Sequence, residues 1–289
     1  MNNLNGILIV IMAMAAFTVE DAFIKQLSGT IPVGQILLGL GIGSSIIFAV
    51  STWIKGKRLS DPAAWRAPNL WRALAESLAA IAFATSLSLI DISVVAAVFQ
   101  ATPLVITMGA ALFLGEDVGW RRWSAIMVGF VGVLMIIRPG MSAFDPNTLL
   151  VVFSVVAVAA RDLFTRKIDA SVDSTVVSFQ GFTSLIIAGP ILLWLTGGQI
   201  HGFTQSEGMM MAGGILFGAI GYYGIVVGMR IGDASAVTPF RYTRLIFSII
   251  MGVLIFGERP DLMTMLGASL IISTGLYTFL RERRLAKLA

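Results

Sequence analysis

Long stretches of apolar residues follow one another along almost the whole chain, and short polar breaks separate them. A helix needs about 20 mostly apolar residues, each rising about 1.5 Å, to cross the hydrocarbon core of a bilayer. Ten windows meet this requirement, roughly 5–26, 31–54, 68–89, 93–114, 119–138, 147–167, 172–197, 207–230, 235–256 and 261–280. The pattern therefore predicts an all-α, polytopic membrane protein with ten transmembrane helices.

The breaks carry residues typical of turns, such as Arg138-Pro139-Gly140 and Glu258-Arg259-Pro260. The first residues run into apolar sequence without a basic segment or a small-residue cleavage site, so we expect a retained helix rather than a signal peptide. No connection is long enough to form a soluble domain. Any binding or chemistry must therefore take place among the helices.

The composition favours the same class of protein and excludes others. Hydrophobic residues make up 57% of the 289 residues and charged residues 12%, whereas soluble domains carry about 25% charged residues. The formal charge of +4 is spread between the apolar blocks, so no nucleic-acid partner is expected. The expected partners are the lipid bilayer and a small-molecule substrate.

Residue types that many catalytic and cofactor sites need are scarce. The chain has no cysteine, and its one histidine, His201, falls in a predicted outer loop. Thiolate sites, histidine clusters and histidine-based triads are thereby excluded. A Gly-Lys-Ser/Thr phosphate loop is also missing, so the chain cannot power itself with ATP. We expect no metal, no cofactor and no enzymatic activity.

The lysines and arginines of the connections are unevenly divided between the two sides of the predicted bundle. If the N-terminus is cytoplasmic, 14 of the 20 basic residues lie on that side, three lie on the other, and three lie within spans. Cytoplasmic loops carry such an excess of basic residues. We therefore predict that both termini are cytoplasmic and that the protein resides in a bacterial cytoplasmic (inner) membrane.

Short motifs recur about half the chain later, which is typical of an internal duplication. Three pairs share nearly the same offset: Asp91-x-Ser93-x-Val95 with Asp233-x-Ser235-x-Val237, Gly115-Glu116 with Gly257-Glu258, and Asp21 with Asp162. The predicted halves are residues 1–140 and 141–289, five helices each, within one membrane domain. Because five is odd, the second half enters the membrane from the opposite side. Such inverted repeats allow a site at the midplane to face either side in turn, although duplication could also have built only a large bundle.

The recurring motifs resemble those of the drug/metabolite transporter superfamily, in particular its EamA-type members. The resemblance rests on Asp21-x-x-x-Lys25, on the Gly-Glu pairs that close spans four and nine, and on the string 238–244 (TPFRYTR), which is similar to the branch that includes riboflavin and S-adenosylmethionine transporters. It implies a ten-helix secondary carrier with two five-helix repeats. Many EamA-type exporters have a tryptophan in the first helix where this chain has Phe17 to Asp21, so export is not assumed.

Charged residues within membrane spans are costly and usually face a partner or a water-filled cavity. In the predicted spans they are Glu20, Asp21, Lys25, Glu76, Arg161, Asp162, Arg241 and Arg244. Asp21 with Lys25, and Asp162 with Arg166, are four positions apart and can neutralise each other on one helix face. These pairs either hold the repeat geometry or contact substrate.

The ninth span carries two arginines without an acid nearby on the same helix face. Counted from Ser235, Arg241 lies roughly 9 Å deep and Arg244 roughly 13 Å deep. Together with Thr238 and Ser248 they follow helical spacing and form a polar stripe, which should face a cavity. Guanidinium groups bind carboxylates and phosphates through two parallel hydrogen bonds. We predict that at least one arginine binds substrate; the alternative is an ion pair with Glu76.

Glu76 also lies well inside its span and has two candidate roles. It either pairs with a nearby cation, or carries protons and so couples transport to a proton gradient. Uncharged contacts to substrate are predicted from Gln100, Tyr242 and Tyr223, and Gln180 and Tyr222 can supply further donors or aromatic walls. Charge pairing or proton coupling is predicted for Asp21, Lys25, Arg161 and Asp162.

The function predicted from these observations is alternating-access transport of a small polar, zwitterionic or anionic organic metabolite. The expected substrate resembles an amino acid, S-adenosylmethionine or riboflavin, and the cavity should be lined by spans one, three, four, six, eight and nine. The alternatives are a membrane enzyme acting on a lipid or lipid-linked substrate with Glu76 or Asp21 as acid or base, a channel, and a non-transporting scaffold. Pairs of small residues four apart, such as Gly39 and Gly43, leave homodimerisation open.

Overall fold

The computed structural model describes residues 3–115, 119–169, 171–231 and 237–286, and these fold almost entirely into α-helices. The helices are α1 (Asn3–Leu27), α2 (Val33–Ile54), α3 (Ala67–Leu89), α4 (Ile92–Phe99), α5 (Thr102–Phe113), α6 (Trp120–Ile137), α7 (Thr148–Thr165), α8 (Ser174–Thr196), α9 (Gln205–Ile231), α10 (Thr243–Phe256) and α11 (Leu262–Ala286). Short 3₁₀ turns cover Pro62–Trp65 and Thr238–Tyr242. Within these described ranges, ten segments are long and apolar enough to cross a membrane, which confirms the predicted class and number of spans.

Two of the ten spans are interrupted near proline. In the fourth span, α4 ends at Phe99 and α5 begins at Thr102, one residue before Pro103. In the ninth span, Val237 is helical, a 3₁₀ turn that contains Pro239 follows, and regular α-helix resumes at Thr243. Proline has no backbone N–H, so it is tolerated at helix starts and breaks a helix interior. The helical spacing expected for the stripe from Thr238 to Ser248 is therefore wrong before Thr243.

Four helix pairs form the main contacts of the bundle: α1 with α9, α2 with α8, α3 with α7, and α6 with α11. Each pair joins a helix of the first predicted half to a helix of the second. Two pairs cross where glycine faces glycine. A Cβ on Gly34 of α2 would lie 2.5 Å from the carbonyl oxygen of Gly189 on α8. Likewise, a Cβ on Gly132 of α6 would lie 2.7 Å from the carbonyl oxygen of Gly267 on α11. Glycine thus permits backbone contact between the halves at both crossings.

A further connection between the halves involves the ends of four helices. Lys25 of α1 donates hydrogen bonds to the carbonyl oxygens of Leu87 (3.3 Å) and Ile90 (2.6 Å), where α3 ends. Its Nζ lies 3.8 Å from Oε1 of Glu258, just beyond α10. Glu258 in turn accepts from the backbone N–H of Ile92 at the start of α4 (2.7 Å). The ends of α1, α3 and α10 and the start of α4 are therefore fastened together.

Candidate functional site

A cavity of about 610 Å³ lies among the helices. Residues from α1, α3, the α4–α5 break, α7, α9 and the ninth span line it, and these are the six spans that the sequence analysis expected to do so. Side chains of α2, α8 and α11, which were not expected, complete the walls. A volume of this size is within the range of small-molecule sites.

Charged side chains are concentrated on the wall of this cavity. Among the residues that the structure describes, they comprise four acids and four arginines: Glu20, Asp21, Glu76, Asp162, Arg72, Arg161, Arg241 and Arg244. The charges of the described lining therefore cancel. Six of the eight side chains form ion pairs with one another, and two do not.

The first ion pair joins α1 to α10. Arg244 donates from Nη2 to both carboxylate oxygens of Asp21, at 2.9 and 2.7 Å, and from Nε to Oδ2 at 3.2 Å. The guanidinium also lies 5.2 to 5.4 Å from the ring centres of Phe17, Phe83 and Phe99, close enough for cation–π attraction. One expectation is wrong here, because Asp21 does not pair with Lys25. The acidic partner of Arg244 lies on α1 and not on the helix that carries the arginine.

The second group of ion pairs joins α3 to α7. Glu76 lies 3.2 Å from Arg72 on its own helix and 3.0 Å from Arg161 on α7. Arg161 also contacts its neighbour Asp162 at 2.8 Å. Glu76 is therefore held between two arginines, neither of which is Arg241 or Arg244, so the predicted alternative of an ion pair between those residues and Glu76 is wrong.

Arg72 is more deeply buried than its sequence position indicates. It was counted with the basic residues of the cytoplasmic side, but only 3% of its surface is exposed. It donates hydrogen bonds to the hydroxyl groups of Thr165 (3.1 Å) and Tyr222 (2.8 Å) and to the carbonyl oxygen of Val177 (3.3 Å). Arg72 thus ties α3 to α7, α8 and α9 at the wall of the cavity.

Glu20 and Arg241 line the cavity without a direct ion pair among the described residues, although Arg244 attracts Glu20 and Asp162 attracts Arg241 over a longer distance. Among the described residues, neither side chain forms an ion pair or a hydrogen bond. The guanidinium of Arg241 is exposed to the cavity, and the carboxylate of Glu20 lies against Gly218 of α9. Arg241 was predicted as a substrate contact. Glu20 was recognised only as a charge within a span, because no spacing rule distinguishes it from its neighbour Asp21.

The uncharged residues predicted for the site have different positions. Gln100 lies at the break between α4 and α5 and lines the cavity, as does Tyr242 of the 3₁₀ turn. Tyr223 is not among the lining residues, and 51% of its surface is exposed. Its neighbour Tyr222 faces the cavity instead, because consecutive helical residues point in different directions. The side chain of Thr238 lies outside the described part of the structure.

A second, smaller cavity of about 260 Å³ adjoins the first. Arg72, Thr165 and Tyr222 line both cavities. The smaller one extends to Asp169, in the connection between α7 and α8, and to Ser174 at the start of α8. The space inside the bundle therefore reaches toward the end that carries the α7–α8 connection. The contacts of Lys25 and Glu258 lie elsewhere, where they hold the ends of α1, α3 and α10 against the start of α4.

Comparison with known proteins identifies the family. The model of the EamA-like transporter family matches residues 4–138 and again residues 147–280. The S-adenosylmethionine uptake transporter of Rickettsia conorii is 30% identical over 190 residues, which are 63% of this chain and only 61% of that relative. The protein of the same name from Rickettsia prowazekii is 23% identical over 97% of this chain and 94% of its own length.

Two further comparisons cover most of the chain. The riboflavin transporter of Rhizobium johnstonii is 30% identical over 225 residues, which are 76% of this chain and 72% of that relative. A solved protein crystal structure has the same fold, with a TM-score of 0.65 over 97% of this chain and 98% of that chain at 19% identity. The duplicated family match and the ten apolar helices agree. The chain therefore belongs to the EamA-like transporter family.

Proposed function

We propose that this chain is a secondary transporter that moves a small polar, zwitterionic or anionic organic metabolite across the membrane, without altering it chemically. The observation that carries the proposal is the central cavity, in which charged side chains face one another among ten apolar spans. Charges at such depth are costly unless they serve a partner or a polar pathway. The names of the relatives, which transport S-adenosylmethionine or riboflavin, support a metabolite of this size.

The transport cycle that we propose is alternating access between two inverted five-helix halves, residues 1–140 and 141–289. The packing supports this division. The first helix of each half packs on the third helix of the other half: α1 packs on α9, and α7 packs on α3. The second helices, α2 and α8, pair with each other, and so do the fifth, α6 and α11. Exchanging the halves leaves this pattern unchanged, as expected for two related halves, and the odd number of helices in each half favours the inverted arrangement.

We infer that both termini are cytoplasmic from the excess of basic residues in alternate connections. We further propose the bacterial cytoplasmic (inner) membrane as the location, because the relatives named above are bacterial proteins. In that orientation the α7–α8 connection, which the smaller cavity reaches, is cytoplasmic, and the junction of Lys25 with Glu258 lies outside. The conformation described here is then open toward the cytoplasm and closed toward the exterior. Because the chain has no cysteine, single cysteines at Arg66 and His201 can be labelled with an impermeant reagent without background. Labelling of the first from outside intact cells would contradict this orientation.

For substrate recognition we propose Arg241, Gln100 and Tyr242 as direct contacts, with Arg244 acting as a pair with Asp21. Tyr223 lies outside the cavity and is not proposed as a contact. For charge pairing we retain Glu76, Arg161 and Asp162, whose mutual contacts hold α3 against α7. The cation of Lys25 is proposed to close the outer end rather than to bind substrate.

The experiment is flux into proteoliposomes that contain the purified full-length protein. We expect saturable accumulation of radiolabelled S-adenosylmethionine or riboflavin above that of empty liposomes. Arg241→Ala should abolish most of the flux while leaving the melting temperature unchanged, and Arg259→Ala, which removes an exposed loop cation, should have no effect. Flux equal to that of empty liposomes for every candidate metabolite would contradict the proposed function.

A further inference from the structure

We propose that Glu20 and Arg241 are the two charged contacts of the substrate site, so that the cavity accepts an organic molecule carrying both a cationic group and a carboxylate. This inference rests on the proposed function and assigns its substrate class. It also gives a role to Glu20, which neither the resemblance to known transporters nor the helix spacing identifies.

Most charged side chains of the cavity wall are already paired with one another and are not available to a ligand. Two groups of side chains form ion pairs at 2.7 to 3.2 Å. One group is Arg244 with Asp21, and the other is Arg72 and Arg161 with Glu76 and Asp162. Each of these groups contains equal numbers of acids and arginines and is electrically neutral. Among the described lining residues this leaves one carboxylate, Glu20, and one guanidinium, Arg241. A ligand with one charge of each sign would neutralise both.

The two halves of the chain carry different residues at equivalent positions of the α1–α9 and α7–α3 crossings. At the offset that relates the recurring motifs, Glu20 of the first half corresponds to Arg161 of the second, and Glu76 corresponds to Gly218. Where α7 crosses α3, Arg161 meets its acidic partner Glu76 at 3.0 Å. Where α1 crosses α9, Glu20 meets Gly218, which offers no side chain. The equivalent crossing thus carries a satisfied ion pair in one case and an unpaired carboxylate in the other.

The glycine at position 218 leaves space for the carboxylate of Glu20. A Cβ on Gly218 would overlap Oε1 of Glu20 and would lie only 2.7 Å from its Cδ. Glycine at this position therefore lets Glu20 remain between α1 and the cavity. A methyl group there would force the carboxylate to move. The arrangement positions the acid without a cation in direct contact, since the nearby Arg244 makes its hydrogen bonds to Asp21.

The side chains of Glu20 and Arg241 lie on segments that the Asp21–Arg244 ion pair joins. Glu20 and Asp21 are consecutive on α1, and successive residues of a helix point about 100° apart. Asp21 is occupied by Arg244, which follows Arg241 closely in the ninth span. The Asp21–Arg244 pair therefore connects the segments that carry the two unpaired groups, and Glu20 extends in a different direction from Asp21. A ligand that reaches both must present its opposite charges at separate points.

The test uses ligand charge and protein charge together. The probes are S-adenosylmethionine, its decarboxylated analogue, S-adenosylhomocysteine, which lacks the sulfonium charge, the 2-oxo analogue, which lacks the ammonium group, and riboflavin, which has neither a carboxylate nor a cation. Competition for flux and ligand-induced rise of the melting temperature are measured in wild type, Arg241→Gln and Glu20→Gln. Arg259→Gln serves as the control.

Charge-assisted hydrogen bonds correspond to roughly ten- to hundredfold in affinity. In wild type, removal of the carboxylate should therefore weaken competition at least tenfold, and in Arg241→Gln the acid and its decarboxylated analogue should compete equally. In Glu20→Gln, probes that lack the sulfonium or the ammonium charge should compete for flux as well as S-adenosylmethionine does. A third variant, Gly218→Ala, should weaken binding of the cationic probes without removing any charge.

The outcomes separate this inference from the proposed function. Transport of riboflavin without S-adenosylmethionine, or unchanged charge discrimination in both variants, would overturn the two charged contacts and leave the transporter function standing. Absence of flux for every probe in wild-type liposomes would contradict the proposed function and, with it, the site. Loss of discrimination in Arg241→Gln and Glu20→Gln but not in Arg259→Gln would establish the assignment.

Discussion

The carboxylate of Glu258 caps the helix that begins beside Ser93. Its Oε2 accepts from the backbone N–H of Ser93 at 3.0 Å and from its hydroxyl at 2.7 Å, while Oε1 accepts from the backbone N–H of Ile92 at 2.7 Å. The first N–H groups of a helix have no partner within it, and a negative charge near them is favourable. Here the capping group comes from 165 residues later in the chain, so the cap also joins the two predicted halves.

The first prediction concerns this cap. Glu258→Ala leaves the buried N–H groups of Ile92 and Ser93 without their acceptor and removes the acidic neighbour of Lys25. It should lower the free energy of unfolding by about 2–3 kcal/mol. The measurement is the thermal melting temperature of the purified protein in detergent. Arg259→Ala, at the next position and exposed, is the matched control. Equal melting temperatures for the two variants would show that the cap contributes little.

A second prediction concerns Asp21 and Arg244. Removing one partner of a buried ion pair leaves an uncompensated charge, which typically costs about 3–5 kcal/mol. Because the pair borders a cavity, we expect a loss of about 3 kcal/mol for Asp21→Asn or Arg244→Gln alone. The double variant should be less destabilised than the sum of the two, which a double-mutant cycle measures. Strict additivity would mean that the two side chains do not stabilise each other.

The third prediction tests a glycine crossing. Gly34→Ala places a methyl group against the backbone of α8 at Gly189, and overpacking of this kind costs about 1–3 kcal/mol. Gly208→Ala, in the first turn of α9, is the control because nothing lies within 4 Å of its Cβ position. Alanine is the better helix former by up to about 1 kcal/mol, so the control should melt at the same temperature or higher. A similar rise in Gly34→Ala would contradict the close approach.

A fourth prediction concerns Asp261, which lies between the last two spans. A hydrogen bond from Arg138, with a further one from the backbone N–H of Thr264, lowers the pKa of Asp261 from its usual 3.8 to about 2. A carboxylate with a lowered pKa stabilises the fold above its unfolded pKa, and this contribution is lost as pH falls through the folded pKa. Since half of the Asp261 side chain is exposed, solvent screening reduces the contribution to about 1 kcal/mol or less.

Asp261→Asn should therefore melt slightly below wild type at pH 7 and at pH 5, and the difference should shrink as the pH is lowered from about 4 toward 2. High salt should narrow the difference as well, because the pair is accessible to ions. A difference that stays constant down to pH 2 would assign the effect to shape rather than to charge.

The positions of the helices could be predicted from the sequence, whereas the partners of the charges could not. Apolar windows are local, and the ten predicted spans agree with the ten apolar helices to within a few residues. The i,i+4 rule is local too, and it paired Asp21 with Lys25. The structure instead pairs Asp21 with Arg244, 223 residues away, because the packing of α1 beside α10 brings an arginine to the cavity side of α1. Such contacts depend on helix packing that no spacing along one helix encodes.

The importance of Glu20 was missed for a related reason. In the sequence it is one of two adjacent acids, and nothing distinguishes the one that will find a partner. The distinction arises from Gly218 on α9, which lies far away along the chain, in the second half. Similarly, Tyr222 and Tyr223 are equivalent by composition, and only the rotation of α9 decides which of them reaches the cavity.

The two crossings at which glycine faces glycine, Gly34 with Gly189 and Gly132 with Gly267, have a mechanical consequence. At these points the nearest atoms of the opposite half are main-chain carbonyl oxygens, and a few apolar side chains, such as Leu193 and Ile136, pack beside them. A change in tilt about such a point keeps the main-chain contact, and only the apolar side chains beside it have to shift. The same atoms that hold the halves together therefore leave the angle between them free to change.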